Sequence, residues 1–331
     1  MLFIDNQNIT DPRINLALEE YIVRNFEAEQ DYILFYINQP SLIIGKHQNT
    51  IEEINQEYVK QKGIIVVRRI SGGGTVYHDL GNLNFSFLTK YDSSKVNNFA
   101  HFTQPIVEAL RRLGVPAEMT GRNDIVAEGR KISGNAQFST MHKMFSHGTL
   151  LFNSEIDEIV NALQVKADKI ESKGIKSVRS RVANISEFLK QPMTMQEFKN
   201  YLLESIFQTT IDKIPQRIIT DEEWKAIHRL SAEKYQTWEW NYGRSPEFNI
   251  QRVHRFDFGQ IDARIHVKDG LITQIKFYGD FLSYADLSEI ENLLLNARYE
   301  QETIKLLLQK VDLNHYFGKI TTEEFASFLV D

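Results

Sequence analysis

The strongest chemistry-bearing feature of the chain is the run Arg68-Arg69-Ile70-Ser71-Gly72-Gly73-Gly74-Thr75-Val76-Tyr77-His78-Asp79. It follows a β-branched run at 64–67. Three successive glycines let a backbone adopt positive φ and approach a ligand without Cβ interference, and their N–H groups can point at phosphate oxygens. Arg69 beside them offers a planar, charge-assisted fork that suits a phosphate or a carboxylate. A tight hairpin loop would use such glycines too. The arginines on one flank and Tyr-His-Asp on the other favour a ligand. Standard nucleotide loops are absent: no G-x-x-x-x-G-K-[ST] occurs, Gly72 does not begin a G-x-G-x-x-G that opens a helix, and the kinase signatures are missing. A nucleotide held here rests on a sheet-borne loop of another kind.

Two more segments carry charge next to glycine, Gly121-Arg122-Asn123-Asp124-Ile125 and Gly129-Arg130-Lys131-Ile132-Ser133-Gly134-Asn135-Ala136-Gln137. Arg130-Lys131 sets cations beside backbone that can approach a ligand closely, although a solvated hairpin with a basic tip has the same pattern. Asp124 either ligates Mg²⁺ or caps the Gly-Arg-Asn turn, and the turn is the simpler reading of that residue alone. His147 enters the apolar strand that runs on through Gly148-Thr149-Leu150-Leu151-Phe152, where a hydrogen-bonded core histidine is commoner than a catalyst. His142 lies five residues earlier, yet neither a cysteine pair nor H-E-x-x-H accompanies them, so no zinc site is expected. No G-x-S-x-G elbow supports a serine hydrolase. Residues 166–181 hold Lys166, Lys169, Lys173, Lys176, Arg179 and Arg181 against Asp168 and Glu171. That stretch reads either as a solvated basic helix face or as a lid closing over a polyanion.

The chain that must position these groups has 331 residues, enough for about two domains. Hydrophobic residues make up 42% and charged residues 25%, the proportions of an ordinary globular protein. A net charge of −6 gives no basic field for nucleic acid or an anionic membrane, so neither is an expected partner. Cysteine is absent, which removes disulfides, thiolate metal sites and any thioester intermediate on this chain. No apolar run is long enough to span a bilayer, and the first residues lack the pattern of a secretory signal. The expectation is a cytoplasmic protein.

Apolar periodicity predicts helices at 14–26, 51–62, 103–113, 155–163, 195–207 and 221–228. Strands are predicted at 32–37, 41–45, 64–69, 75–78, 83–88, 124–127, 130–138 and 148–152. Neighbouring strand pairs interrupted by single helices indicate α+β rather than a regular βαβ alternation. The aromatic and turn-forming run at 238–246 marks a boundary. Beyond it come strands at 251–258, 261–268 and 271–278, then helices at 286–296, 300–310 and 321–329. Two domains follow, 1–245 and 246–331. The second carries nine Lys/Arg against fourteen Asp/Glu, and therefore nearly all the negative charge.

Taken in order, these segments resemble the lipoate–protein ligases of the lipoate-salvage type. The resemblance is carried by Arg68 to Asp79, Gly81-Asn82-Leu83-Asn84, Gly121-Arg122-Asn123-Asp124, Arg130 to Gly134, His147 to Leu150, Lys173 to Val182 and Trp240-Asn241-Tyr242-Gly243. It implies a biotin/lipoate-ligase-type catalytic domain of mixed β-sheets with flanking helices, followed by a small α+β domain. It implies that lipoate and Mg-ATP form lipoyl-AMP, and that the lipoyl group passes to a lysine of an apo acceptor. That acceptor is an E2 subunit of a 2-oxoacid dehydrogenase or the glycine-cleavage H protein. The implied catalytic residues are Lys131 and Asp124, with Asp124 also the Mg²⁺ candidate. ATP falls to Arg69, Gly74, Thr75, Val76, Tyr77, Asn82 and Lys131. Lipoate falls to Leu16, Arg69, His78, Lys131, Ala136 and His147. Absence of cysteine sets the chain apart from relatives that work through a thioester, and the Gly-Arg-Gly-Arg loop of biotin ligases is missing. Two other readings stay open: a non-catalytic lipoate- or nucleotide-binding regulator, and a scaffold that docks acyl-carrier domains. A monomer is the default.

Overall fold

The computed structural model describes all residues except 122, 164–180, 244–247, 269 and 331, so most of the basic stretch at 166–181 lies outside the described residues. Two compact units emerge. The first holds Met1–Ile43, Ile51–Val67 and Val76–Thr237; the second holds Ile44–Thr50, Arg68–Thr75 and Trp238–Asp331.

The first unit is built on a seven-stranded mixed sheet of β1 (Leu2–Asp5), β2 (Tyr32–Ile37), β6 (Asn82–Lys90), β10 (Lys143–Leu151), β9 (Arg130–Ser139), β8 (Asp124–Ala127) and β7 (Ala117–Thr120), in that spatial order. Only the β1–β2 pair is parallel among the pairings of this sheet. A smaller sheet orders β4 (Ile65–Arg68), β3 (Ser41–Ile44) and β5 (Val76–His78). Strand residues alternate between faces, so each face of the large sheet has its own character. One face presents Ile33, Phe35, Leu83, Phe85, Met144 and Leu150 to α4 (Phe99–Arg112) and α6 (Met195–Phe207), forming the main core. The other face lies towards α1 (Pro12–Asn25), which also packs on α7 (Asp221–Leu230). Asp11 caps α1 by accepting from the Arg13 N–H, and Pro12 sits where its missing N–H costs nothing. The predicted helix at 51–62 is two helices, α2 (Thr50–Glu53) and α3 (Gln56–Lys62), because Asn55 caps the second. α5 (Ile156–Ala162) follows the large sheet.

In the second unit α8 (Trp238–Asn241) leads into an antiparallel sheet of β11 (Ile250–Phe256), β12 (Gly259–Lys268) and β13 (Leu271–Gly279). Helices α9 (Leu287–Leu294), α10 (Gln301–Leu308), α11 (Leu313–Tyr316) and α12 (Thr322–Val330) complete it. Its core centres on Phe317, whose ring lies 5.2 Å from Phe277, 5.1 Å from Phe281 and 4.7 Å from Phe325.

Candidate active site

The glycine-rich loop belongs to the second unit, where two arginines and the C-terminal sheet hold it. Arg68 is 1% exposed and donates from Nη1 to the carbonyls of Gly45 (2.9 Å) and Gln48 (2.7 Å), from Nη2 to Thr50 Oγ1 (2.6 Å), and from Nε to the Trp240 carbonyl (2.9 Å). Its backbone N–H donates to Asn241 Oδ1 at 2.9 Å, and Trp240 Nε1 donates to its carbonyl at 2.8 Å. The Trp-Asn-Tyr-Gly motif thus positions the strand end from which the loop departs. Arg69 turns its fork onto the loop itself, donating to Ser71 Oγ (3.0 Å), Gly72 O (2.8 Å) and Gly74 O (2.8 Å). A ligand anion gripped by this fork would compete with those loop oxygens. Thr75 donates to Gln48 Oε1 at 2.8 Å, and the same oxygen accepts the Gly45 N–H at 2.9 Å.

The three glycines do different work, which corrects their common reading as ligand-approach residues. Only Gly73 takes a left-handed φ, +93°, and its N–H donates to the Phe281 carbonyl at 3.3 Å. Gly72 is needed for close packing, since a Cβ there would come within 2.5 Å of the Phe281 oxygen. Around Gly74 a Cβ would meet nothing within 4 Å. This third glycine alone keeps open space beside it. His47 stacks on Phe281 at 5.2 Å and accepts the Gly279 N–H through its carbonyl, so residues 44–50 brace the loop from the same side.

Lys131 and Asp124 meet in the first unit. The Lys131 Nζ lies 2.8 Å from Asp124 Oδ1, and both side chains keep over a third of their surface exposed. Gly134 makes room for the ammonium, because a Cβ there would stand 2.9 Å from Nζ. The Lys131 backbone is fixed on both sides: its N–H donates to Arg181 O at 2.7 Å and its carbonyl accepts the Ala183 N–H at 3.0 Å. Asp124 therefore neutralises a cation rather than capping the turn. Among the described residues no group of three or more His, Asp and Glu could by itself hold a metal.

Down the α1 side of the large sheet runs a lane of buried groups. Asn82, Asn84 and Ser86 alternate onto one face of β6, and His147 stands directly opposite Ser86 with Ala136 beyond it. Leu16, 3% exposed, and Glu19, 1% exposed, approach from α1. The Glu19 carboxylate accepts from His147 Nδ1 at 3.0 Å to each oxygen. That bond puts the imidazole proton on Nδ1. His78 is held the other way. Asn6 Nδ2 donates to Asn15 Oδ1, Asn15 Nδ2 to Asn38 Oδ1, and Asn38 Nδ2 to His78 Nδ1, each at 2.9 Å. The relay makes His78 Nδ1 an acceptor, so its proton sits on Nε2. Asn82, fully buried, donates to Asn84 Oδ1 at 3.0 Å, while its own carbonyl oxygen has no partner among the described residues.

Val76 and Tyr77 continue from the loop into β5, paired with Ile43 and Leu42. Tyr77 faces away from His78, into a cavity of about 640 Å³ that Asp79, Leu80, Phe152, Glu155 and Met195 also line. Burial, reinforced by Asp79 and Glu158, pushes its phenol well above the usual range. It stays neutral at any physiological pH. Behind α1, Glu20 accepts from Lys234 Nζ at 2.7 Å and Tyr235 Oη at 2.6 Å. Burial works against the Glu20 charge, but Lys234, Tyr235 and Arg24 outweigh it and lower the carboxyl pKa. Sequence reasoning missed Glu19, Asn15, Asn38 and Ser86. The available signal was Asn15 and Glu19, one helical turn apart beside Leu16 on an otherwise apolar face of α1.

The comparisons with known proteins agree along the chain. The family model described as the lipoyl protein ligase A/B catalytic domain matches residues 11–207. The model of the bacterial lipoate protein ligase C-terminus matches residues 245–329. Lipoate-protein ligase LplJ of Bacillus subtilis is 60% identical over 330 residues, 99% of this chain and 100% of that one. The crystal structure of P. falciparum LipL1 in complex with lipoate superposes with a TM-score of 0.78 at 25% identity, covering 94% of each chain. A lipoate-protein ligase A bound with ATP gives 0.60 at 30% identity, over 73% of this chain and 97% of that one. With both family models matched in order and an almost full-length relative at that identity, the chain belongs to the lipoate–protein ligases.

Proposed function

We propose that this ligase activates free lipoate with Mg-ATP to lipoyl-AMP and then passes the lipoyl group to a lysine of an apo lipoyl acceptor. The acceptors proposed are E2 subunits of 2-oxoacid dehydrogenases and the glycine-cleavage H protein. The observation that carries this reading is the Lys131–Asp124 pair, a cation more than a third exposed whose ion-pair partner among the described residues is one carboxylate. In the first step a lipoate oxygen attacks the α-phosphorus and pyrophosphate leaves. Two anions converge, and Lys131 exchanges Asp124 for the carboxylate and the phosphate, both of which a compact ammonium can serve. Arg69 holds the anion from the loop side, and the backbone of Gly74, Thr75, Val76 and Tyr77, with the buried Asn82, cradles the nucleotide. The acyl tail lies along Leu16, His78, Ala136 and His147, out of contact with water.

In the second step the lysine amine attacks the mixed anhydride carbonyl, AMP leaves, and the amine loses a proton. Asp124, released from Lys131, orients that amine. Mg²⁺, when bound, neutralises charge on the phosphates. A lone carboxylate such as Asp124 suits it, since Mg²⁺ on a nucleotide takes most of its ligands from phosphate and water. The chemistry is assigned to residues 1–245, and 246–331 is read as an accessory domain that braces the glycine loop. A cytoplasmic monomer completes the proposal; no helix of the described residues is long and apolar enough to cross a membrane.

Intact mass of an apo H protein and an apo E2 lipoyl domain, after incubation with the enzyme, lipoate and Mg-ATP, tests the whole sequence. One lipoyl increment that requires ATP is the expected result. No increment on either domain and no lipoate-dependent pyrophosphate would overturn the reading.

A further inference from the structure

One buried group on the lipoate lane has no structural reason to be polar. Ser86 is 0% exposed, and its hydroxyl has no hydrogen-bond partner among the described residues. A hydroxyl removed from water and left unbonded is destabilising, so one that also faces the lane has a bond to gain when a ligand fills it. Register fixes where it faces. Ser86 lies directly opposite His147 on β10 and Leu34 on β2, and Ala136 lies opposite His147 on β9. Directly opposed residues share a face, and on this face His147 reaches Glu19 of α1. Ser86 therefore projects into the lane that Leu16, Ala136 and His147 line.

Its depth is also set by register. The Lys131 ammonium, where the carboxylate would be activated, stands over Gly134. Ala136 and the Ser86 rung are two strand residues further, about 7 Å at the usual strand rise. The next rung runs Tyr32, Leu88, Phe145 and Phe138 across four strands, three of them aromatic, and the rings of Phe145 and Phe138 lie 5.5 Å apart. Ser86 is thus the aliphatic hydroxyl that borders this largely aromatic floor. A five-carbon acid tail running from Lys131 brings its terminal ring to this rung. In lipoate that ring carries two sulfurs, which are weak hydrogen-bond acceptors; a plain hydrocarbon tail offers none.

We propose that Ser86 is a specificity-determining residue that donates its hydroxyl to a sulfur of the dithiolane, so that the enzyme distinguishes lipoate from a hydrocarbon acid of the same shape. This rests on the ligase reading above. A hydrocarbon ring at the same place would leave the hydroxyl bare, and sites built to bond a polar group discriminate in this way.

The test compares lipoate with 5-cyclopentylpentanoate, its carbocyclic isostere, by kcat/KM for acid-dependent pyrophosphate release. The wild type should prefer lipoate by about fivefold, the factor that one modest hydrogen bond supplies. Ser86→Ala should bring the ratio to near one, chiefly through KM for lipoate. Ser146 provides the control: it is equally buried with an unpartnered hydroxyl, but it lies on the opposite face of the sheet, across from Phe87 and Gln137. Ser146→Ala should keep the wild-type ratio. A wild type indifferent to the two acids overturns the inference without any variant, as does a Ser86→Ala enzyme that retains the preference. Release with both acids leaves the ligase reading standing in either case; release with neither removes both.

Discussion

The glycine loop and the Lys131 pair treat their cations in opposite ways. Arg68 is wholly buried and its guanidinium is held largely by backbone oxygens, while Arg69 folds back onto the loop that follows it. Lys131 is over a third exposed and paired with one carboxylate on a neighbouring strand. A guanidinium locked by carbonyls and a hydroxyl cannot change partners without unfolding its surroundings. An ammonium in a single exposed pair can exchange partners at little cost, because such pairs contribute only about 0–1 kcal/mol. The first arrangement makes a scaffold and the second makes a switch. The proposed adenylation would draw on both, since a phosphate must be met by backbone already in place and by one charge still free to move.

The sharpest way to break the comparison is Lys131→Ala. If Lys131 is the switch, its loss should barely change the unfolding midpoint, yet lower lipoate-dependent pyrophosphate exchange by roughly a thousandfold, the scale of losing one preorganised charge at a transition state. A folded Lys131→Ala enzyme with normal exchange would move the chemistry elsewhere.

Arg68→Lys makes the converse point and should act on stability first. Lysine brings three donors on a flexible stem where the guanidinium serves Gly45, Gln48, Thr50 and Trp240 at once. Buried carbonyls left without donors should cost about 3 kcal/mol, read in a denaturant titration. Activity should fall because the loop is lost, and low temperature should restore part of it. A variant of native stability that is nevertheless inactive would make Arg68 a ligand residue and erase the contrast with Lys131.

How far the sequence reveals this division depends on the physics of each element. The strand at 32–37 is legible residue for residue, because six apolar and aromatic side chains in a row have no competing period. β10 begins at Lys143 rather than 148, since Lys143, Ser146 and His147 disguise a strand whose faces are both buried. Lys143 is buried with its ammonium donating to the carbonyl of Gln30 at 2.8 Å, and burial lowers its pKa to about 8. No composition rule anticipates that. β1 and β7 escape because each is four residues long and is made a strand by its partner. In the candidate site, the Arg-Arg run before three glycines stands out in the sequence, but the structural work of Arg68 and Gly72 is not readable there, because their partners Trp240 and Phe281 lie far along the chain. The amide relay from Asn6 to His78 and the Glu19–His147 bond are not. Their residues lie far apart in sequence and acquire meaning only when α1 is laid on the sheet.

The smallest effects sharpen the comparison within the loop itself. Gly72 and Gly74 are two residues apart and look interchangeable in the sequence. A methyl at Gly72 would strike the Phe281 carbonyl, which is backbone and cannot turn aside, so Gly72→Ala should destabilise by about 2 kcal/mol. At Gly74 a methyl meets open space and φ is not left-handed, so Gly74→Ala should be neutral or stabilising by a few tenths of a kcal/mol through the unfolded chain. Any cost at Gly74 must then appear only with substrate. If the nucleotide comes against this backbone, KM for ATP should rise several-fold in a protein whose melting temperature is unchanged. An unchanged KM would confine the nucleotide to the residues after Gly74, and the loop would be scaffold throughout.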